Sequence, residues 1–269
     1  MVDVVAAWSW EVRGGIGFWR VASLEGAGCT AVFSARLGGV SAGPYASLNL
    51  GGGVGDETAA VAANRGRFAR ATGLPPATWA SVRQVHGVGV ARVEAPGAYG
   101  TADALISSAP GVCLTIAVAD CCAVYLVDPV RRAVGLCHAG WRGTADGAAG
   151  ATVAAMAAAY GTLPADLLAA ISPSVGPCCY EVDAPVMRAL QAGAPWSDEV
   201  LALDPARPGH ARLDLWRANA LRLRDAGVRA EGVSVAAICT ACRPDVLFSH
   251  RRDRGRTGRM VAALALAAG

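Results

Sequence analysis

The sequence predicts a single α+β domain, with strands and helices intermixed over residues 1–269. Three observations predict it. No fixed-period repeat or low-complexity linker divides the chain. Three apolar runs of strand length follow one another closely, at residues 112–118, 123–127 and 133–137. Helix-start and helix-stop signals bracket segments on either side of them. A chain of this length buries a substantial core without disulfide or metal staples.

The elements follow in chain order. Residues 32–35 form a short strand leading into the Gly-rich turn 37–44, and Asp56 caps a helix that runs to about Thr72, where Gly73 stops it. Residues 79–93 are β-rich. The three apolar runs put Asp120 and Cys121 at a strand junction, Asp128-Pro129 at a turn and His138 at the end of the next strand. The Gly-bearing segment 139–144 reads as a loop opening an Ala-rich helix that ends near Tyr160 and Gly161, and the start of that helix suits an anion. A later helix begins at Asp214, carries Leu215, Ala218 and Leu221 on one side, and ends at Gly227. Strands at 233–238 and 260–267 close the fold.

Composition removes whole classes of function. All 24 basic residues are Arg, so a Schiff-base lysine is impossible, and so is the phosphate-loop motif G-x-x-x-x-G-K-[ST], despite the glycines of 48–56. A formal charge of +3 is too small to imply nucleic acid and leaves small anionic molecules open as partners. The N-terminus carries an early acid at Asp3 and no basic segment ahead of a long apolar run, so no secretory signal is read and a cytoplasmic location is expected. The most apolar stretch, 111–127, is interrupted by Asp120 and falls short of the roughly 20 residues that a membrane span needs. Nine cysteines, an odd number, then read as thiols and metal ligands rather than a disulfide framework.

Of four histidines, His86 and His138 stand beside glycine-containing turns next to strands. With Cys121 they make a His-His-Cys set of the kind that holds catalytic zinc. Their spacing forms no short ligand motif, so hydrogen-bonded structural histidines and a small buried cysteine remain open. So does Cys121 as a nucleophile with His138 as its base. The nucleobase deaminase signature H-x-E with P-C-x-x-C is absent. Cys239-Thr-Ala-Cys242 has C-x-x-C spacing, but no second such motif completes a four-cysteine site and no thioredoxin-like helix follows, and Cys178-Cys179 reads as packing. The basic run 250–259, with Arg251 in it, suits phosphate through paired guanidinium groups, or else is a solvated loop.

Several segments together resemble the laccase-domain family (YfiH-type, multicopper polyphenol oxidase-like), whose members act as purine nucleoside phosphorylases. They are Ser34-Ala-Arg-Leu-Gly-Gly-Val-Ser41, Gly43-Pro-Tyr-Ala-Ser-Leu-Asn-Leu50, Arg83-Gln-Val-His-Gly87, Ala102-Asp-Ala-Leu105, Ala119-Asp-Cys121, His138-Ala-Gly-Trp-Arg-Gly143, Gly176-Pro-Cys-Cys-Tyr180 and Phe248-Ser-His-Arg-Arg-Asp253. The resemblance implies zinc, with copper as the alternative ion, on His86, Cys121 and His138. It also implies α/β/β/α layers with mixed sheets inside, and phosphorolysis of adenosine, inosine and methylthioadenosine with accompanying adenosine deamination. On that reading Arg36 and Arg142 neutralise phosphate beside the metal, and Arg251 and Asn49 contact substrate. Asp120 lies at the substrate and orients a ligand histidine. Ser172, His250 and an inserted Arg254 depart from the family pattern. The family is similar in fold to a cytotoxic necrotizing factor domain, a thiol deamidase, which keeps the cysteine-hydrolase reading second. A copper polyphenol oxidase should need more than four histidines. Oligomeric state is not legible.

Overall fold

Residues 7–267 are described by the structure, a computed structural model; Asp3, on which the no-signal reading rests, lies outside them. The chain opens with strands β1 (Ser9–Arg13) and β2 (Ile16–Arg20), helix α1 (Ala22–Glu25), β3 (Cys29–Ser34) and helix α2 (Thr58–Thr72). Seven strands follow: β4 (Trp79–Arg83), β5 (Val90–Arg92), β6 (Gly97–Thr101), β7 (Ala104–Ser107), β8 (Cys113–Val118), β9 (Cys122–Asp128) and β10 (Ala133–Ala139). Then come α3 (Trp141–Asp146), α4 (Ala148–Tyr160), β11 (Leu168–Ile171), β12 (Glu181–Asp183) and α5 (Ala184–Gly193). The chain finishes with β13 (Leu201–Leu203), β14 (His210–Leu213), α6 (Leu215–Asp225), β15 (Val233–Val235) and β16 (Met260–Leu266).

Seven strands make one sheet in the order β1-β2-β3-β16-β8-β4-β6, six make a second in the order β15-β11-β9-β10-β7-β5, and β12-β14-β13 form a small third. Side chains alternate across each strand, so a strand buried on both faces feeds two cores. In β9, Ala123, Tyr125 and Val127 face the space between the large sheets, while Cys122, Val124 and Leu126 face the helices. In β16, Met260, Ala262, Leu264 and Leu266 point inward and Val261, Ala263 and Ala265 outward, where Phe68 of α2 covers them. On the far side Met156, Leu190 and Leu221, of α4, α5 and α6, cover the second sheet. The expected α/β/β/α layering is therefore present. Among the described residues no helix is long and apolar enough to cross a membrane.

Three expectations need correction. Asp56 does not cap α2: Glu57 holds that position without a side-chain bond, because the Asp56 carboxylate is taken up by Ser41 (2.6 Å) and Asn49 (2.9 Å). Segment 139–144 is not a loop, since α3 begins at Trp141, and the left-handed Gly147 (φ 87°) separates it from α4. The strand expected at 233–238 stops at Val235, just before the left-handed Ala237 (φ 51°). The helices at 58–72 and 215–225 otherwise end as read, at Gly73 (φ 77°) and, for the second, start at Asp214, whose carboxylate accepts from the Arg217 amide. Strands β1, β2, β6, β7 and β11 to β14 and helices α1 and α5 were not legible.

Tyr125 joins the two large sheets by more than area: its fully buried hydroxyl donates to the Val32 carbonyl at 2.7 Å. Tyr125→Phe leaves that carbonyl short of a donor in a dry interior and is expected to cost about 1–2 kcal/mol. Urea unfolding should show a lower midpoint with an unchanged slope.

Candidate metal centre and active site

The site forms where the two large sheets exchange the chain. His86 follows β4 of the first sheet, Cys121 sits in the crossing from β8 to β9, and His138 is the penultimate residue of β10 in the second. Two of these positions need unusual backbone. His86 (φ 62°) and Asp120 (φ 88°) are non-glycine residues in the left-handed region, which costs on the order of 1–3 kcal/mol each and persists only when surrounding bonds over-determine it.

Asp103 supplies those bonds at His86. Its fully buried carboxylate accepts from the amides of Val85 (3.2 Å), His86 (2.9 Å) and Gly87 (2.7 Å), and Oδ1 lies 2.8 Å from His138 Nδ1. Its carbonyl also takes the His138 amide at 2.7 Å. At Asp120, Oδ1 accepts from Thr240 Oγ1 and Oδ2 from the Arg251 amide, both at 2.6 Å. The expectation that Asp120 orients one of these histidines is thereby corrected: Asp103 holds the His138 ring, and Asp120 instead fastens two later loops to the crossing.

The ligand-capable atoms of His86, Cys121 and His138 all lie within 4.8 Å of one another, and the two imidazole rings meet edge to face with centroids 4.8 Å apart. Gly140 is required beside them, since a Cβ there would come within 2.9 Å of Cys121 Sγ and 3.1 Å of His86 Cδ2. Burial opposes charge on Cys121, but His138 and then His86 outweigh it and hold the thiol below its ordinary range. Burial likewise opposes charge on His138, and Cys121 and Asp103 overcome it and raise the imidazole. A soft sulfur and two imidazoles, one with its second nitrogen bonded to a carboxylate, are a donor set that fits a transition-metal ion.

These residues line a cavity of about 560 Å³, within the usual range for small-molecule sites. Arg142, Arg251, Arg259, Trp141 and Tyr180 share its wall. Arg142 lies over Trp141 (4.2 Å to the ring centroid) and Arg251 over Tyr180 (4.9 Å). Arg251 Nη1 also donates to the Glu181 carbonyl at 2.7 Å. Burial lowers the pKa of Arg259, and the Cys121 and Asp120 charges work against that.

Of the residues expected at the site, His86, Cys121, His138, Asp120, Arg142 and Arg251 are brought together, whereas Arg36 and Asn49 are not. Arg36 spends its guanidinium on the carbonyls of Ala46 (2.8 and 2.6 Å) and Pro244 (3.1 Å) and stacks on Phe248. Asn49 is fully buried: its amide nitrogen donates to Gly51 and Asp56, and its oxygen accepts from the amides of Gly51 and Arg259. Both hold loops instead of facing the cavity. His250 lines the cavity, Arg254 is an exposed left-handed turn residue (φ 50°), and Ser172 is buried with its hydroxyl accepting from the Ala123 amide. The cysteine pairs also need correction. Cys178 and Cys179 are not mere packing, and Cys239 and Cys242 do not lack partners, because folding brings all four sulfurs within 4.8 Å of one another.

Fold and site together define an α+β scaffold whose His-His-Cys donor set fits a metal ion. The chain belongs to the multi-copper polyphenol oxidoreductase laccase family, whose model matches residues 30–267. It is 41% identical over 256 residues to purine nucleoside phosphorylase YlmD of Geobacillus stearothermophilus, covering 91% of this chain and 93% of that one. It is also 41% identical over 234 residues to a purine nucleoside phosphorylase of Deinococcus radiodurans, covering 87% and 88%. The crystal structure of YlmD from Geobacillus stearothermophilus superposes with a TM-score of 0.91 at 38% identity, over 98% of this chain and 100% of that one. That of Bacillus licheniformis YfiH does so with a TM-score of 0.89 at 33% identity, over 96% and 98%.

Asp103→Asn keeps the shape but turns an amide N–H₂ toward backbone N–H groups. Hydrogen exchange at residues 85–87 is expected to accelerate at least tenfold, matching a loss of about 1.5–3 kcal/mol for a charge-assisted bond. Unchanged protection there would show that the carboxylate does not hold the loop.

Proposed function

We propose that the chain is a zinc-dependent purine nucleoside phosphorylase acting on adenosine, inosine and methylthioadenosine, with accompanying adenosine deamination. The observation that carries this reading is the convergence of His86, Cys121 and His138 on the wall of a cavity shared with Arg142, Arg251 and Arg259. Two relatives above 40% identity bear the name purine nucleoside phosphorylase, which supports the same reaction.

In this reading His86, Cys121 and His138 hold the ion. Zinc bound there supplies Lewis acidity to an oxygen nucleophile near neutral pH. Asp103 keeps Nδ1 of His138 engaged, so the other ring nitrogen is the one available as a ligand. Cleaving an N-glycosidic bond builds positive charge on the sugar while phosphate brings negative charge, and the arginines neutralise the latter. Arg142, stacked on Trp141, lines the cavity, and a guanidinium fork there matches phosphate oxygens. Copper suits the same donors, so metal analysis names the ion.

A second reading rests on a different observation: Cys121, His138 and Asp103 stand in the order thiol, imidazole, carboxylate, with the thiol favoured as thiolate. That arrangement serves a metal-free cysteine hydrolase. Such an enzyme would survive chelators and die on thiol alkylation, whereas the zinc phosphorylase loses activity to chelators and recovers it with zinc.

Cys121→Ala is expected to abolish phosphate-dependent release of hypoxanthine from inosine and to lose the metal of this site. A variant that turned over inosine at the wild-type rate without metal would overturn the proposal. Arg142→Ala is expected to raise KM for phosphate roughly 10- to 100-fold, the equivalent of one charge-assisted hydrogen bond, with a smaller effect on KM for the nucleoside.

A further inference from the structure

The cysteines outside the cavity converge on a second point. Cys178 and Cys179 occupy a turn in which the amides of Cys179 and Tyr180 both donate to the Gly176 carbonyl at 2.9 Å. Cys239 and Cys242 lie on a separate turn. It is docked to the first segment by a parallel bridge between Ser174 and Cys239 and by the Thr240 amide donating to the Ser174 carbonyl at 2.9 Å. All four sulfurs fall within 4.8 Å of one another, with Cys242 Sγ 3.4 Å from Cys179 Sγ and 3.6 Å from Cys178 Sγ.

That spacing is chemically specific. A tetrahedral zinc tetrathiolate with Zn–S of about 2.3 Å has sulfur–sulfur edges of about 3.8 Å, close to the 3.4 and 3.6 Å separations at Cys242. A disulfide needs about 2.05 Å and would use only two of the four sulfurs. The turn at Pro177 lets adjacent cysteines reach the same neighbour, as both do at Cys242. Cys239, the buried member, already accepts a hydrogen bond from the Gly176 amide at 3.3 Å, a contact that favours a thiolate. Cys178 and Cys242 are exposed, which gives an ion a route in.

We propose that Cys178, Cys179, Cys239 and Cys242 form a second metal site, a zinc tetrathiolate separate from the His86, Cys121 and His138 centre. Its role is structural, because four thiolates close the zinc coordination shell. The ion clasps two loops that reach the first site. Thr240, inside the C-x-x-C turn, donates to Asp120, Val175 donates its amide to the Asp120 carbonyl, and Tyr180, next to Cys179, lines the cavity. The assignment stands on these four residues and does not depend on the reaction run at the first centre.

The test is metal content of the full chain purified under reducing conditions with zinc present. Wild type is expected to hold two zinc ions, Cys121→Ala one, the Cys178→Ser/Cys242→Ser double variant one, and the combined triple variant none. Cys121→Ala, in which all four cysteines are intact, reads the site without disturbing it: loaded with cobalt(II), it should show the sulfur-to-cobalt charge-transfer band and strong visible transitions of a tetrahedral tetrathiolate. Three results would overturn the proposal. They are a Cys121→Ala protein without zinc and without that spectrum, iron in place of zinc at the four cysteines, or a disulfide among them in the mass of the unreduced, zinc-exposed protein.

Discussion

Everything about the candidate centre depends on one buried carboxylate. Asp103 has no contact with solvent, and an ionised side chain in that position is tolerable only when its lone pairs are taken. Three consecutive amides and one imidazole take them. Burial pushes the carboxyl upward, but the bonds from His138, Gly87, His86 and Val85 prevail and hold it below its ordinary value. The contribution to stability is therefore complete above the ordinary carboxylate pKa and fades only as pH falls through the lower folded-state value. The same oxygens thus fix the backbone of the His86 loop and the ring of His138, tying the two segments that carry the imidazoles. Asp103 lies beside β7, which pairs with β10 through Ala104 and Cys137, so the sheet sets where the carboxylate stands.

The position of the centre follows from the route of the chain. β8 belongs to the first large sheet and β9 to the second, and only residues 119–121 separate them. In that short connection Asp120 takes the left-handed conformation, with its side chain tied to Thr240 and its carboxylate also holding the Arg251 amide. The turn that moves the chain between sheets thus delivers Cys121 to the cavity and anchors the wall opposite it. The strained residue persists there because the surrounding bonds to Thr240 and Arg251 over-determine it.

Much of the frame was legible because strands buried on both faces read as continuous apolar runs, and because Gly73 and Asp214 mark helix ends by their own chemistry. The short strands β1, β2 and β12 to β14 were not: they are three to five residues long and carry little periodicity, β2 being almost wholly buried and the others partly exposed. The three ligand-capable residues were legible as residue types and became specific only through the motifs around them. Asp103 was visible in the Ala102-Asp-Ala-Leu105 segment without a role, since nothing local says that a carboxylate there faces three amides 16 to 18 positions away. Arg36 and Asn49 misled for the converse reason. Both are polar residues in glycine-rich segments, and their side chains were needed to satisfy backbone groups that those segments leave unpaired. The four-cysteine cluster escaped because its halves are some 60 residues apart and only one has C-x-x-C spacing.

Cys121 and Cys122 show how far the residue type falls short of deciding chemistry. They are adjacent, so pleating sends them to opposite sides of the same strand start. Cys122 enters the helix-facing core, where burial pushes its thiol up to about 12 and leaves it an inert, small hydrophobe. Cys121 turns to the cavity, where two imidazoles reverse the effect of burial and favour the thiolate. A one-residue slip in the pairing of β9 with β10 would exchange them, placing the reactive sulfur in the core and an apolar one at the centre. The register that pairs Ala123 with His138 is thus itself a functional feature, and the uninterrupted apolar contacts of β9 on both faces are what hold it.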